Sequence, residues 1–334
     1  MSWTLEYNIS ALLMAWLPGM EAGNALADVL SGKENPSGKL NDTIAVSYED
    51  YPSAANFGKK EYNYYEEDIY VGYRYFETIA KDKVCYPFGY GLSYTTFEQK
   101  VTNVVNSEDE VVIRVDVTNT GDVAGKDVVQ VYYMPAQGAL CKPARNLIRF
   151  AKTKELQAGE TESLTISFAI SEMASFDDSG VTGHTNCYVL EAGEYKIFAG
   201  ENVRDAAEIF SLVLKENRVT EQLQEACAPV EAFDRLVLQI NPDGSVEKKM
   251  EAVPLRTVDP LKRLADNRPQ AAEYTGDKGY RFKDVMAGTV SKEEYLAQLT
   301  DEDLICMARG EGMCSSKVTP GIAGSFGGVT TSLE

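Results

Sequence analysis

Ile113-Arg114-Val115-Asp116-Val117-Thr118-Asn119-Thr120-Gly121-Asp122 is the stretch from which the fold can be read. Apolar β-branched residues alternate with polar ones. Successive side chains of a strand point to opposite faces, so this strand has one apolar and one polar face. Asn119 to Asp122 then offers the residues of a turn. The period returns downstream. Val129, Val131 and Tyr133 repeat it, and Leu164, Ile166, Phe168 and Ile170 alternate with Thr165, Ser167 and Ala169. Tyr195 and Ile197 follow Ala192-Gly193-Glu194, and Phe210, Leu212 and Leu214 close the series. Strands of period two separated by turns predict a complete immunoglobulin- or fibronectin III-like β-sandwich over residues 98–215. Such a sandwich is silent on function.

Outward from the sandwich the patterns change. Residues 216–275 are polar and weakly periodic, with Pro229, Pro242, Pro254, Pro260 and Pro269, and read as a linker with some short structure. A connector of that length is expected to run over another domain's surface. In 276–334 helices return: Ser291-x-x-Glu294 is a capping box, and Thr300-Asp301-Glu302-Asp303 opens a helix with acids in its first turn. On the other side, 57–97 is an aromatic and glycine-rich connecting segment, with Tyr62, Tyr64, Tyr65, Tyr70, Tyr73, Tyr75, Phe76, Tyr86, Phe88, Tyr90, Tyr94 and Phe97 around Gly72, Gly89 and Gly91. Such rings either stack on sugars or pack an interdomain surface. Residues 1–56 begin with an apolar run, Ile9 to Leu17, expected to be a buried strand before Pro18-Gly19. Ala22, Ala25, Leu26, Val29 and Leu30 have helical spacing, Gly32 stands where a left-handed C-terminal residue is wanted, and Asn35-Pro36-Ser37-Gly38 is a turn. The expected fold class is multidomain: a partial α/β sandwich segment, the complete β-sandwich, and a partial helical start of a further domain.

Composition narrows the chemistry. With 32 Lys and Arg against 51 Asp and Glu the net charge is −19, which disfavours nucleic acid and anionic membranes and leaves neutral substrates open. No apolar run is long enough to span a membrane. The apolar start has no basic residue before Lys33, so a secretory leader is not expected. Cys85, Cys141, Cys187, Cys227, Cys306 and Cys314 are sparse, with no CxxC spacing, and read as reduced thiols of a cytoplasmic protein. A single histidine, His184, lies in a loop-like Thr182-Gly183-His184-Thr185-Asn186. It argues against a His-rich metal site, and its expected role is at the surface. No cofactor and no metal is called for. Gly89-x-Gly91 and Gly310-x-Gly312 lack the further residues of a nucleotide loop.

The first hundred residues carry a resemblance. Ala15-Trp16-Leu17-Pro18-Gly19-Met20-Glu21-Ala22-Gly23-Asn24 through Gly32, then Asn35-Pro36-Ser37-Gly38-Lys39-Leu40, resembles the end of the α/β sandwich domain of family 3 glycoside hydrolases, the β-glucosidases and their relatives. Val71-Gly72-Tyr73-Arg74-Tyr75-Phe76 and Tyr86-Pro87-Phe88-Gly89-Tyr90-Gly91-Leu92-Ser93-Tyr94-Thr95-Thr96-Phe97 are similar to that family's segment leading into its fibronectin type III-like domain. Gly193-Glu194-Tyr195 resembles a late-strand motif of that domain. Leu296 to Leu304 and Arg309-Gly310-Glu311-Gly312-Met313 look like the start of the family's (β/α)8 barrel, here placed after the β-module. That order is similar to domain-permuted intracellular β-glucosidases of gut and rumen anaerobes.

The resemblance implies a retaining hydrolysis of terminal β-D-glucosyl residues, with an Asp nucleophile and a Glu acid/base whose carboxyls stand about 5–5.5 Å apart. It places both outside this chain, so no catalytic residue is carried over and the chain alone is expected to be inactive. Glu6, Glu21 and Glu311 match neither motif, and Glu21 reads as a helix-opening residue. Substrate-binding residues are not assigned. The implied partner of the full-length parent is a β-glucoside oligosaccharide, and homo-oligomerisation is compatible with the sequence. The alternative reading is a non-catalytic fibronectin III-like module for carbohydrate binding or domain assembly. Because residues 1–97 lack most of the sheet and 276–334 most of the barrel that the resemblance implies, Leu12, Leu13, Trp16, Leu304 and Ile305 are expected to be partly exposed.

Overall fold

A computed structural model describes residues 7, 9–270 and 272–309. The chain divides into two compact units, 1–257 and 258–334. In the first, helix α1 (Ala22–Leu30), strand β1 (Ile44–Ala45), helix α2 (Tyr73–Ile79) and strand β2 (Val84–Tyr86) precede the sandwich. β1 and β2 pair antiparallel. The sandwich strands are β3 (Phe97–Asn106), β4 (Glu110–Asn119), β5 (Val128–Met134), β6 (Asn146–Lys152), β7 (Thr161–Ala169), β8 (Ser175–Asp177), β9 (Cys187–Leu190), β10 (Gly193–Gly200) and β11 (Ala207–Leu214). One antiparallel sheet runs β3-β4-β7 and the other β11-β10-β5-β6. The fibronectin III-like sandwich read from the alternation is therefore present.

The alternation translates into burial. Val111, Ile113, Val115 and Val117 of β4 turn inward, and their core partners are Val129 and Val131 of β5, Ile166 and Phe168 of β7, and Tyr195 and Ile197 of β10. Outward positions pair across strands in the register set by that inward face, as Thr118 does with Thr161 and Asp116 with Ser163. The turn after β4 closes around Asn119. Its amide donates to the carbonyls of Val123 (2.8 Å) and Leu156 (2.9 Å) and accepts from the Thr95 hydroxyl (2.7 Å) and the Gly121 N–H (3.1 Å). Gly121 is required by that closeness, since a Cβ there would lie 2.3 Å from the Thr95 hydroxyl.

The strand expected at Ile9–Leu17 does not form: residues 11–19 carry no regular structure, and Leu12, Leu13, Trp16 and Leu17 are exposed. A buried strand needs neighbours for its backbone N–H and C=O groups, and no described residue pairs with this run. α1 forms where its spacing predicts, and Gly32 adopts a φ of 77° just past its end. No residue of α1 is buried. The described residues thus show a helix and flanking coil here rather than a covered α/β layer.

Beyond the sandwich the first unit continues. β12 (Arg218–Gln222) extends a sheet in the order β12-β9-β8. β13 (Asp234–Ile240) and β14 (Val246–Ala252) form a hairpin whose Leu236 and Leu238 pack on Tyr70. The Tyr70 hydroxyl both donates to the Leu238 carbonyl and accepts from its N–H, each at 3.2 Å. Between 216 and 257 Leu236 and Leu238 are the only buried apolar residues among those described, too few to stand out in a polar stretch.

The second unit is helical among its described residues: α3 (Pro260–Asp266), α4 (Phe282–Met286), α5 (Lys292–Ala297) and α6 (Asp301–Arg309). Asp259 caps α3 ahead of Pro260, a residue suited to the first helical position. The Ser291–Glu294 capping box forms at α5, and Thr300 and Asp303 exchange the same bonds at α6. Gln298 holds the loop before α4, accepting from the N–H groups of Lys278 and Tyr280 and donating to the Tyr280 carbonyl. Leu304 and Ile305 are exposed.

Replacing Asn119 with Ala leaves four polar groups at the turn without their partner, so urea unfolding of N119A is expected to show a loss of about 3 kcal/mol. A T118A substitution on the outward face of the same strand is the control, expected to change stability by less than about 1 kcal/mol.

Candidate functional site

The aromatic segment covers the outer face of the β11-β10-β5-β6 sheet. Along β5, Val129 and Val131 face the sandwich core, while Gln130 and Tyr132 face outward yet are equally buried. What buries them is α2 and the turn after β2. The Tyr73 ring lies 4.5 Å from Phe88 and 6.3 Å from Tyr132, and its hydroxyl accepts from the Leu147 N–H (2.9 Å). Gln130 donates to the carbonyls of Gly89 (3.1 Å) and Glu201, and accepts from the Tyr132 hydroxyl (2.6 Å). Gly89 has a φ of 81°, and a Cβ there would sit 2.2 Å from the Gln130 side-chain oxygen, so only glycine meets both demands.

The remainder of the Tyr86–Phe97 stretch is held from the other side. Leu40 donates to the Tyr90 carbonyl, and Gly89 donates to the Leu40 carbonyl (2.8 and 2.7 Å). Asn35 accepts from the Ser93 hydroxyl and the Tyr94 N–H and donates to the Ala124 carbonyl (2.9, 2.8 and 2.9 Å). A Cβ on Gly91 would fall 2.2 Å from the Gly38 carbonyl oxygen. Most of the rings in 57–97 thus serve packing. Tyr62, Tyr65 and Tyr94 remain exposed.

A cleft of about 230 Å³ opens where α2 meets the sandwich, lined by Glu77, Lys81, Ala144, Arg145, Val203 and Arg204. Buried Glu77 accepts from Arg204 Nε (2.9 Å), and Arg204 also donates to the Lys81 carbonyl (2.7 Å). Arg145 lies over the Phe198 ring, 3.5 Å from its centroid. The loop that presents Arg145 is anchored by a buried ion pair. Lys142 bonds Glu191 and the Ala136 carbonyl, and Glu191 accepts the N–H groups of Ala139 and Leu140. Burial pushes the Lys142 ammonium below its ordinary pKa, against the pull of Glu191.

The acidic residues singled out from sequence do not gather here. Glu21 is exposed at the start of α1, accepting from the Asn24 amide. Glu6 and Glu311 lie outside the described residues. His184 is exposed in the loop 178–186. The carboxylates that do converge are Asp68, Asp178 and Glu251, all on Arg235, which sits among them at 3.3, 2.5 and 3.3 Å. Burial raises the Asp68 carboxyl above its usual range, opposed by Arg235. Arg145, Arg204 and Arg235 were not anticipated from sequence; their signal is faint, being isolated cations in an acidic chain. Cys85, Cys141, Cys187 and Cys227 form no disulfide, while Cys306 and Cys314 fall outside the described side chains. Among the described residues no helix is long and apolar enough to cross a membrane.

A glycine-dependent aromatic segment is thus docked on the back of a fibronectin III-like sandwich. Residues 1–94 match the Glycosyl hydrolase family 3 C-terminal domain, and residues 127–203 match the Fibronectin type III-like domain. The chain thus carries a glycosyl hydrolase family 3 C-terminal domain followed by a fibronectin type III-like domain. It is 47% identical to a β-glucosidase of Ruminococcus albus over 98% of this chain and 34% of that protein. It is 38% identical to β-glucosidase A of Butyrivibrio fibrisolvens, over 96% of this chain and 42% of that one. The crystal structure of a β-glucosidase from Paenibacillus barengoltzii superposes with a TM-score of 0.88 at 50% identity, covering 100% of this chain and 38% of that chain. The chain therefore spans between a third and a little over two-fifths of the length of these relatives.

Asp177, beside Asp178, organises the loop that carries His184. Burial raises its pKa, but donors from Thr182, Gly180 and Ser179 outweigh that and hold the carboxyl below the ordinary Asp range. A depressed folded pKa gives stabilisation that is complete above the unfolded value and lost as pH falls through the folded one. An NMR titration of the Thr182 amide is expected to report a midpoint below that of a free Asp, and D177N is expected to abolish the transition.

Proposed function

We propose that this chain is the non-catalytic scaffold of a retaining β-glucosidase that releases terminal β-D-glucosyl residues from β-glucosides. The observation that carries the reading is the signature segment Tyr86–Phe97 seated on the sheet through Gly89, Gly91 and Gln130, in a chain whose relatives bear β-glucosidase names. Residues 1–56 are read as part of the family's α/β domain and 276–334 as the opening of its (β/α)8 barrel. The permuted domain order is supported by the extent of similarity. The Ruminococcus and Butyrivibrio proteins align with 98% and 96% of this chain, whereas the Kluyveromyces marxianus β-glucosidase aligns with 66%. The nucleophile Asp and the acid/base Glu are assigned to other parts of the polypeptide, because the acids that converge among the described residues are neutralised on Arg235. Proton transfer and nucleophilic attack both need carboxyls free to meet the substrate. A cytoplasmic location is part of the same reading, supported by the sparse cysteines.

A second reading is supported by one surface. The Tyr62 and Tyr64 rings lie nearly parallel, 6.4 Å apart, and Phe233 is 5.1 Å from Tyr64, whose hydroxyl donates to Glu231. One exposed ring, Tyr62, backed by the half-buried Tyr64 and Phe233 and beside a carboxylate, suits the face of a pyranose, and on this reading the module binds carbohydrate without cleaving it.

The 334-residue chain is expected to release no product from an aryl β-glucoside above the uncatalysed background, and turnover at rates typical of enzymes, about 1–1000 per second, overturns the scaffold reading. Calorimetric titration of the same chain with cello-oligosaccharides tests the second. Saturable heat that Y62A reduces supports it, and the absence of heat removes it.

A further inference from the structure

We propose that the cleft between α2 and the sandwich is a binding site for a phosphate group, with Arg145 as its principal ligand and Arg204 and Lys81 beside it. The geometry rests on three observations independent of the glucosidase reading.

Firstly, the cleft gathers three cationic side chains, Lys81, Arg145 and Arg204, against one carboxylate, Glu77. The Arg204 Nε–H already satisfies one Glu77 oxygen at 2.9 Å, so the positive excess resides mainly on Arg145 and Lys81. In a chain of net charge −19, such a local excess stands against the field of the rest of the molecule.

Secondly, the Arg145 guanidinium is built into place and left with donors to spare. It is stacked on Phe198 and its loop is pinned by the Lys142–Glu191 pair. Of its five N–H groups, one set, on Nη1, donates to the carbonyl of Ala144 at 3.1 Å. Among the described residues no carboxylate lies within ion-pairing range of Arg145 or of Lys81. Burial lowers the pKa of Arg145, with the charges of Glu77 and Glu208 opposing the shift. A half-buried cation with carboxylates near it but none in direct contact is incompletely compensated, and an anion bound directly to it relieves that cost.

Thirdly, the space and the donor set suit a tetrahedral oxyanion. The cleft holds about 230 Å³, several times the roughly 30 Å³ a water occupies in the liquid. A planar fork beside a second guanidinium and an exposed ammonium suits the oxygens of a phosphate, for which Arg is the preferred bidentate partner. Such a ligand would bridge elements distant in sequence: Lys81 just after α2, Arg145 before β6, and Arg204 after β10. Binding is therefore expected to stabilise the docking of α2 on the sandwich. The phosphate can come from the inorganic ion or from a phosphorylated sugar, which share this chemistry.

The test is calorimetric titration of the full chain with inorganic phosphate, a hexose phosphate and acetate, each at an ionic strength held constant with chloride. Phosphate is expected to bind saturably with a dissociation constant of about 1 mM, to raise the melting temperature, and to bind at least tenfold more tightly than acetate. R145M is expected to weaken binding at least tenfold and the exposed-site variant K81A severalfold. K81A cannot disturb a buried contact and so keeps the test decisive if R145M fails to fold. A hexose phosphate that binds tighter than inorganic phosphate identifies the sugar ester as the ligand, and equal affinity identifies the free ion. No saturable phosphate binding, binding unaffected by K81A and R145M alike, or acetate binding as tightly as phosphate would each overturn the proposal.

Discussion

The side-chain amide of Gln130 is the contact on which the architecture turns. It lies on the outer face of β5, where an ordinary sandwich strand would present a polar group to water, and it is buried. Its three hydrogen bonds reach Gly89, Glu201 and Tyr132, so one residue joins the signature turn, the loop after β10 and the sheet itself. A buried amide left without partners is unfavourable by one to a few kcal/mol, so Gln130 in place presupposes the turn in place. Gly89 must then have a positive φ and no Cβ. The turn delivers Phe88, and α2 delivers Tyr73, against the cluster of Tyr132 and Phe198.

From that contact the rest of the first unit can be rebuilt. α2 lies on the sheet and brings Glu77 to Arg204 and Thr78 to the Ala144 N–H. Its far side packs Phe76 and Ala80 against Tyr51 and Ala45, and Tyr75 and Ile79 extend the packing toward the Tyr70–Leu236–Leu238 cluster. The first unit is thus layered: sandwich core, sheet, aromatic cover, hairpin. Each layer is apolar on the side that meets the previous one. Two charged nodes join distant segments, Lys142–Glu191 in the loop that presents Arg145, and Arg235 of β13 with Asp68, Asp178 and Glu251. Buried pairs of this kind add little net stability but penalise any arrangement that separates them.

The sandwich was legible in the sequence because its strands face water on one side, and water writes the alternation. β4 shows this, with Val111, Ile113, Val115 and Val117 inward. In β5 the same logic finds Val129 and Val131 but misses Gln130 and Tyr132, since a strand buried on both faces loses its period. The helix caps at Ser291 and Thr300 were readable because they depend on residues three apart. The run Ile9–Leu17 misled for the opposite reason: apolar composition argues for burial but cannot supply a neighbouring strand. The β13–β14 hairpin escaped notice because only Leu236 and Leu238 of it are buried, in a stretch dense with charge. The charged cleft was invisible, since Lys81, Arg145 and Arg204 are scattered along the chain and only the docking of α2 brings them together. The family signature itself was recognisable as a string, yet its glycines acquire reasons only when Gly38 and Gln130 are seen against them.

The span of these contacts along the polypeptide bears on how the protein is made. Asn35 bonds Ala124 across 89 residues, and Tyr70 bonds Leu238 across 168. During synthesis, the aromatic cover emerges from the ribosome well before the sheet it must cover, and the hairpin that straps it arrives later still. For that interval a dense cluster of tyrosines and phenylalanines stands in water. Closing such long loops is entropically slow, and exposed apolar surface in the meantime invites self-association. A nascent chain with this order of parts is a natural client for chaperones that shield aromatic surface until the downstream strands appear.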